Sequence, residues 1–275
     1  SSSSPYDKLV LYMPFDTNTS STAVYDYSSL NNDGAVHNNV VYTSSGRYGG
    51  GMNFDGVDDE INTSGAIVSG TAITFGEWIK WNTIAADGSG FDVPMSQDTN
   101  EDSYEMYTSS PNTLACWDGT SISSTMTGLS TDVWYHVMCV FNSTHVCLYV
   151  NGSEADCASG TTAEVKNVPF RLGSMNGSYF FNGTLDEVMV FNSTLTPAQI
   201  LAIYTNQSSR FVPIGTQTLR FQNITSGYDK VELNADFQNL VGSNISARIG
   251  YWDISKGYNE SDFNDLDGLV SYWHF

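Results

Sequence analysis

Apolar and polar residues alternate with a period of two over Lys8–Phe15, Ile73–Trp81, Trp134–Phe141, Val146–Val150, Phe170–Leu172 and Leu185–Phe191. This is the pattern of strands that bury one face. Val, Ile, Tyr, Phe and Trp gather in these segments, as a pleated, half-buried surface requires. Turn-forming clusters punctuate them at Gly49-Gly50-Gly51, Asp87-Gly88-Ser89-Gly90, Asn151-Gly152 and Asn176-Gly177. Many short strands with Gly- and Asn-rich turns predict an all-β chain built as an antiparallel sandwich. One segment departs from the alternation. Thr196-Pro197-Ala198-Gln199 is a capping box with Pro at the first helical position. It opens a short stretch whose apolar residues are Ile200, Leu201, Ile203 and Tyr204, so a single helix should close the β run.

Residues 1–6 read as a linker and 7–206 as the sandwich, with Gln207–Pro213 as a connector. Thr218–Ile224, Lys230–Gln238 and Ser246–Ile254 then predict a small β domain over 211–266. Three strands alone bury little, so it should lean on the larger domain. Residues 267–275 repeat the opening strand: Asp267, Leu269, Val270, Tyr272 and Phe275 match Asp7, Leu9, Val10, Tyr12 and Phe15. A tandem array whose next domain begins here would produce such a repeat, as would a strand donated to a neighbouring molecule. Either makes a head-to-tail assembly of copies of this chain. Chance similarity of two amphipathic strands is the plain alternative.

The formal charge of −20 gives an acidic surface that disfavours nucleic acid. The longest apolar run, Val133 to Phe141, is half a membrane span, so no membrane insertion is expected within this chain. Residue 1 begins a Ser-rich stretch rather than a signal peptide. Eleven of the 23 asparagines open an Asn-x-Ser/Thr triplet: Asn18, Asn62, Asn142, Asn151, Asn176, Asn182, Asn192, Asn206, Asn223, Asn244 and Asn259. Chance would give roughly five in a chain that is about a fifth Ser and Thr, so the excess points to N-linked glycans and export. Cys116, Cys139, Cys147 and Cys157 lack zinc-finger spacing and suit two disulfides in an exported protein. Three pairings are possible. Cys147 and Cys157 bracket a hairpin turning at Asn151-Gly152, which favours Cys147–Cys157 and leaves Cys116–Cys139 between neighbouring strands; four buried thiols are the alternative.

Trp134-Tyr135-His136-Val137 followed by Leu148-Tyr149-Val150-Asn151-Gly152 resembles the paired-strand signature of laminin-G-like jelly-roll domains, the concanavalin A-like lectin/glucanase fold. Further matches fall in order: Leu9 to Phe15, Asn53 to Asp59, Phe75 to Ile79, Arg171 to Gly173, Asn182 to Val188, and Leu195 to Ile200. The resemblance covers about residues 7–206. It implies two antiparallel sheets packed face to face, a concanavalin A-like jelly-roll sandwich with one short helix, followed here by the small β domain. It also implies a structural Ca²⁺ near the sandwich edge. Asp26 and Asp186 resemble the family's positions for it, with Asp16 a further ligand, since Ca²⁺ takes six to eight oxygens. Ser29, Leu30 and Asn31 depart from the usual Gly-Asn-Gly-like step, and turn-capping carboxylates without metal are the competing reading. Asp262 to Gly268 is no EF-hand loop, because Leu266 occupies a ligand position.

The fold's glucanases resemble one another in a Glu-x-Asp-x-x-Glu strand. Glu101-Asp102-Ser103-Tyr104-Glu105 has the wrong spacing for that pair, as has Asp58-Asp59-Glu60. Both read as solvated acidic faces. No Gly-x-Ser-x-Gly elbow is present, and His136 lies in a strand where packing and hydrogen bonding are its natural role. A non-enzymatic protein is expected. The first reading is an extracellular, N-glycosylated structural or adhesive surface protein, a repeat or subunit of a filament or array. The alternative is a carbohydrate-binding, lectin-like module, which should keep one aromatic-lined face free of sequons. Trp117 and Trp252 lie near turns where exposure would suit sugar stacking, although core packing fits them better.

Overall fold

The computed structural model describes residues 5–16, 22–68, 70–84, 90–98, 103–109, 111–119, 125–159 and 166–209. Asn18, Asn223, Asn244, Asn259, Trp252, Glu101, Asp102, the expected small β domain and the repeat at 267–275 lie outside them.

Among the described residues, sixteen strands, numbered along the chain, form two antiparallel sheets. The first contains β1 (Leu9–Met13), β4 (Val41–Tyr48), β5 (Gly50–Asp55), β7 (Ile73–Trp81), β12 (Trp134–Phe141), β13 (His145–Val150), β14 (Ser153–Ser159) and β16 (Asn182–Phe191). Its order is β14-β13-β12-β7-β16-β5-β4, with β1 also on β16. The second contains β2 (Ala23–Val24), β3 (Gly34–His37), β6 (Glu60–Thr63), β8 (Phe91–Gln97), β9 (Tyr104–Ser109), β10 (Thr113–Trp117), β11 (Thr125–Thr127) and β15 (Arg171–Leu172). Its order is β11-β10-β9-β8-β15-β6-β3-β2. A bulge in β16 between Asp186 and Met189, with Glu187 at φ +52°, bends that strand. Its first half therefore pairs with β5 and its second half with β1.

The sheets face each other across one core. Phe75, Ile79, Trp81, Val137, Cys139, Phe141, Leu185 and Val190 from the first sheet meet Ile61, Met95, Tyr104, Met106, Leu114, Cys116 and Leu172 from the second. The first sheet is covered on its other face too. The helix α1 (Pro197–Ser209) lays Ile200 and Ile203 onto Met138, Val140, Tyr149, Met189 and Phe191. Two-sided burial leaves β7, β12 and β16 buried along nearly their whole length, where their alternation predicts one buried face. The capping box forms as the sequence predicts: Gln199 N–H donates to Thr196 Oγ1, and Thr196 N–H to Gln199 Oε1. Leu201 is the exception on the helix, half exposed. A buried polar chain pins the helix down. Trp78 Nε1–H donates to Gln207 Oε1 at 2.8 Å, and Gln207 Nε2–H to Glu187 Oε2 at 2.9 Å. Tyr12 O–H donates to the same oxygen. His136 fills the space between Trp78 and Tyr204, and burial drops its pKa to about 3, so it is a neutral packing residue.

Both disulfides are present. Cys147 and Cys157 are direct cross-strand partners on β13 and β14, beyond a turn with Asn151 and Gly152 both at positive φ. Cys116–Cys139 does not join neighbouring strands as its expected position suggested; it crosses the core from β10 to β12 and ties one sheet to the other. Closing its 23-residue separation restricts the unfolded chain by about 3 kcal/mol on the chain-entropy account.

Glu77 points into this core from β7, fully buried, and neither of its carboxyl oxygens has a hydrogen-bond partner. Burial holds its pKa well above the ordinary 4.5, so the folded protein keeps a proton that the unfolded chain releases. The stability this provides is complete below about pH 4.5 and is lost as pH rises, by up to about 1.4 kcal/mol per pH unit while the folded form stays protonated. Glu77→Gln, which cannot ionise, should therefore gain on the parent as pH increases. Glu77→Met should be more stable than the parent by about 1–3 kcal/mol at neutral pH. Urea unfolding of the three proteins at pH 4.5 and 7 checks this; a parent–variant difference that is the same at both values rules the account out.

Candidate functional site

No described helix covers the outer face of the second sheet, and there the strands turn a group of rings to the surface. Met106 and Cys116 face the core, so Glu105 and Tyr107 on β9 and Trp117 on β10 face out by alternation. Glu105 and Trp117 are direct cross-strand partners. A bulge between Asp92 and Met95 interrupts β8, with Pro94, which has no N–H to pair, inside it. The backbone groups freed by the bulge bind the segment after β15. Val93 N–H donates to Tyr179 O, and Gly173 N–H to Pro94 O, both at 2.8 Å.

That segment turns back at Asn176-Gly177, both at positive φ, closed by reciprocal bonds between Met175 and Ser178. Tyr179 is itself held at φ +54°, a conformation a bulky side chain adopts only under constraint. The result is an open pocket of about 190 Å³ lined by Phe91, Val93, Glu105, Tyr107, Trp117, Met175 and Tyr179. Phe91 meets Tyr107 and Tyr179 edge-on, with ring centroids 5.9 and 6.0 Å away. Trp117, assigned to the core from the sequence, is instead part-exposed on this wall. The alternation of β10 contained that answer, since Leu114 and Cys116 occupy its inward positions.

Among the described residues, the acidic runs are solvated only in part. Glu105 is almost wholly buried at the pocket floor. Asp59 is buried beneath the β5–β6 turn, where its carboxylate accepts Asn39 N–H and Asp55 N–H, and burial pushes its pKa up. Asp55 and Asp58 beside it stay exposed.

Among the expected calcium ligands, Asp26 does not fit. Its two oxygens accept four hydrogen bonds, from Tyr12 N–H, Ser28 N–H, Ser28 O–H and Asn32 N–H. That count uses the lone pairs a carboxylate has to offer. It organises the loop from Asp26 to Asp33 as a capping group. Asp186 accepts Tyr48 N–H and Glu187 N–H at 2.7 Å each. Burial first, then the charge of Glu187, raise its pKa well above the carboxylate range. Asp16 lies near enough for its charge to add to that rise.

Of the described sequons, Asn151, Asn176 and Asn192 are exposed, while Asn62, Asn142, Asn182 and Asn206 are part-buried. Glycans attach through Nδ2. That nitrogen donates to Glu60 Oε1 in Asn62 and to Asp55 O in Asn182, so both are committed to the sheets. Asn142 and Asn151 use Oδ1 as an acceptor at hairpin ends. The ring-bearing face is not free of sequons, because Asn62 projects from β6 on it and Asn176 stands at the pocket rim.

A sequence model of the concanavalin A-like lectin/glucanases superfamily matches residues 55–201. No curated protein sequence matches the chain. Among solved structures, it is similar to domain 4 of an extracellular arabinanase from Geobacillus stearothermophilus, in complex with arabinotriose. The two share 19% identity over 72% of this chain and 98% of that one, with a TM-score of 0.58. It is also similar to Trypanosoma rangeli sialidase in complex with sialic acid, at 15% identity and TM-score 0.57 over 74% of this chain and 33% of that chain. A third similarity is to the binding domain of botulinum neurotoxin DC in complex with SialylT, at 14% identity and TM-score 0.58 over 74% of this chain and 52% of that one. At these identities the likeness establishes the fold.

If Asp26 serves the loop rather than a cation, Asp26→Ala should cost about 2–4 kcal/mol from the donors it strands. The parent's melting temperature should then be the same in calcium and in chelator. A transition lowered by chelator in the parent and insensitive to it in Asp26→Ala restores the ligand assignment.

Proposed function

The chain belongs to the concanavalin A-like lectin/glucanases superfamily, and on that footing we infer that it is a secreted, non-enzymatic carbohydrate-binding module. The observation that carries this reading is the pocket walled by Phe91, Tyr107, Trp117 and Tyr179 on the outer face of the second sheet. Ligand sites combine such apolar walls with a few polar groups. Flat rings suit the C–H faces of a sugar, and Glu105 provides an acceptor for its hydroxyls. Hydrolysis of a glycosidic bond uses two carboxylates across the bond, whereas Glu105 is the one carboxylate among the described lining residues. Two disulfides support an oxidising, extracellular setting. No described helix is long and apolar enough to cross a membrane. The arabinotriose and sialic acid in the similar structures point toward sugar as the ligand class.

The sequon excess favours a second reading, a glycan-coated structural or adhesive protein that assembles with copies of itself. The exposed Asn151, Asn176 and Asn192 support it. The two readings meet at Asn176, where a glycan would stand beside the pocket mouth.

Binding is best measured on protein from a host without N-glycosylation, so that the rim is bare. On a glycan array, Trp117→Ala and Tyr107→Ala should each weaken the strongest sugar interaction by about tenfold while leaving the melting temperature within a few degrees. Signals indifferent to both substitutions would remove the pocket as the site. Native material should carry glycan at one or more of Asn151, Asn176 and Asn192 by peptide mass spectrometry. Bare asparagines at all three together with a monomeric size in solution would end the structural reading.

A further inference from the structure

We propose that the pocket selects a glycan unit carrying a positive ammonium group, such as the protonated amine of a 2-amino sugar, held over the rings beside Glu105. This rests on the reading of the pocket as a sugar site and names the chemistry it takes. Four of the seven lining side chains are aromatic, two more are apolar, and Glu105 is the one ionisable acid among them. No lysine or arginine lines the pocket among the described residues. Ring faces carry negative charge density and attract cations. The Glu105 carboxyl at the floor offers oxygen acceptors to an ammonium group, and pairing at this largely buried position is screened less than at an open surface.

Placement fits the same chemistry. Glu105 and Tyr107 stand on the same face of β9, two residues apart, and Trp117 is directly opposite Glu105 on β10. Phe91 and Tyr179 close the far side, their rings 6.0 Å apart. Arg171 on β15 lies across Ser96 from Glu105 in the strand register, and its guanidinium is tied down by its own acceptors. Its guanidinium donates to Asp98 O, Pro169 O and Asn176 Oδ1. The volume, about 190 Å³, is below the roughly 300 Å³ at which sites for drug-sized ligands begin. It suits one sugar residue or one charged group better than a longer chain. At longer range the −20 charge of the protein concentrates cations near the surface and repels carboxylated or sulfated sugars.

The test compares three probes by isothermal titration on unglycosylated protein, below neutral pH where amines are protonated: a glucosamine trisaccharide, its fully N-acetylated counterpart, and choline chloride. The amine trisaccharide should bind about tenfold more tightly than the acetylated one, and raised salt should shrink the gap. Glu105→Gln should bring the two sugars within about twofold of each other. Its melting temperature should stay within a few degrees of the parent's, which shows that the variant still folds. Choline binding alone, with neither sugar bound, upholds the ammonium site and defeats the sugar reading. Equal affinities for both trisaccharides in the parent overturn the inference and leave the sugar site standing. No binding by any probe overturns both.

Discussion

Burial of the first sheet on both faces is the constraint from which the rest of the structure follows. Its inner face meets the second sheet, and its outer face meets the helix, locked by the chain from Trp78 through Gln207 to Glu187. A β-sheet whose two faces are both packed has no broad surface left for a ligand. The second sheet carries no described helix on its outer face, only the returning Met175–Tyr179 segment, and is therefore where rings can be displayed without exposing the core. The helix acts on function indirectly: by occupying one side of the sandwich it assigns the other side to recognition.

That exposed side is built from irregularity. The bulge in β8 releases backbone groups at Val93 and Pro94, and the Met175–Tyr179 segment folds back to satisfy them. Without the bulge, the ladder would continue and no second wall would form. The Asn176-Gly177 turn and the constrained backbone of Tyr179 then set that wall against Phe91. Asn176 has two claims on it in this arrangement, as a turn residue that tolerates positive φ and as a sequon at the pocket rim. Its place links recognition and glycan decoration at one spot.

The acidic residues divide by what surrounds them, although composition treats them alike. Asp26 and Asp59 spend their charge on backbone N–H groups and organise turns. Glu77 and Asp186 sit where burial disfavours the charged form. Glu105 lies between the two situations, buried among rings yet at the edge of an open pocket. A net charge shared by all thirty acids thus says little about any one of them, because desolvation and local donors decide each case.

Local signals established much of the architecture in advance. Period-two alternation revealed β1, β7, β12, β13 and β16 of the first sheet, and the Thr196–Gln199 box located the start of the helix, because both depend on neighbours within a few residues. The ordered motifs from Leu9 to Ile200 carried the resemblance to the jelly-roll family. Cys147–Cys157 was legible for the same reason, lying across one hairpin. Contacts between distant segments were not legible. Cys116–Cys139 spans two sheets, Trp117 faces outward through the register of β10, and the pocket joins three strands to a returning loop. Asp26 could be read as a metal ligand until its four donors, one of them on β1, were seen in place. Sequence periodicity states which residues share a face, but which face remains open depends on how layers stack, and that is settled only when the whole chain packs.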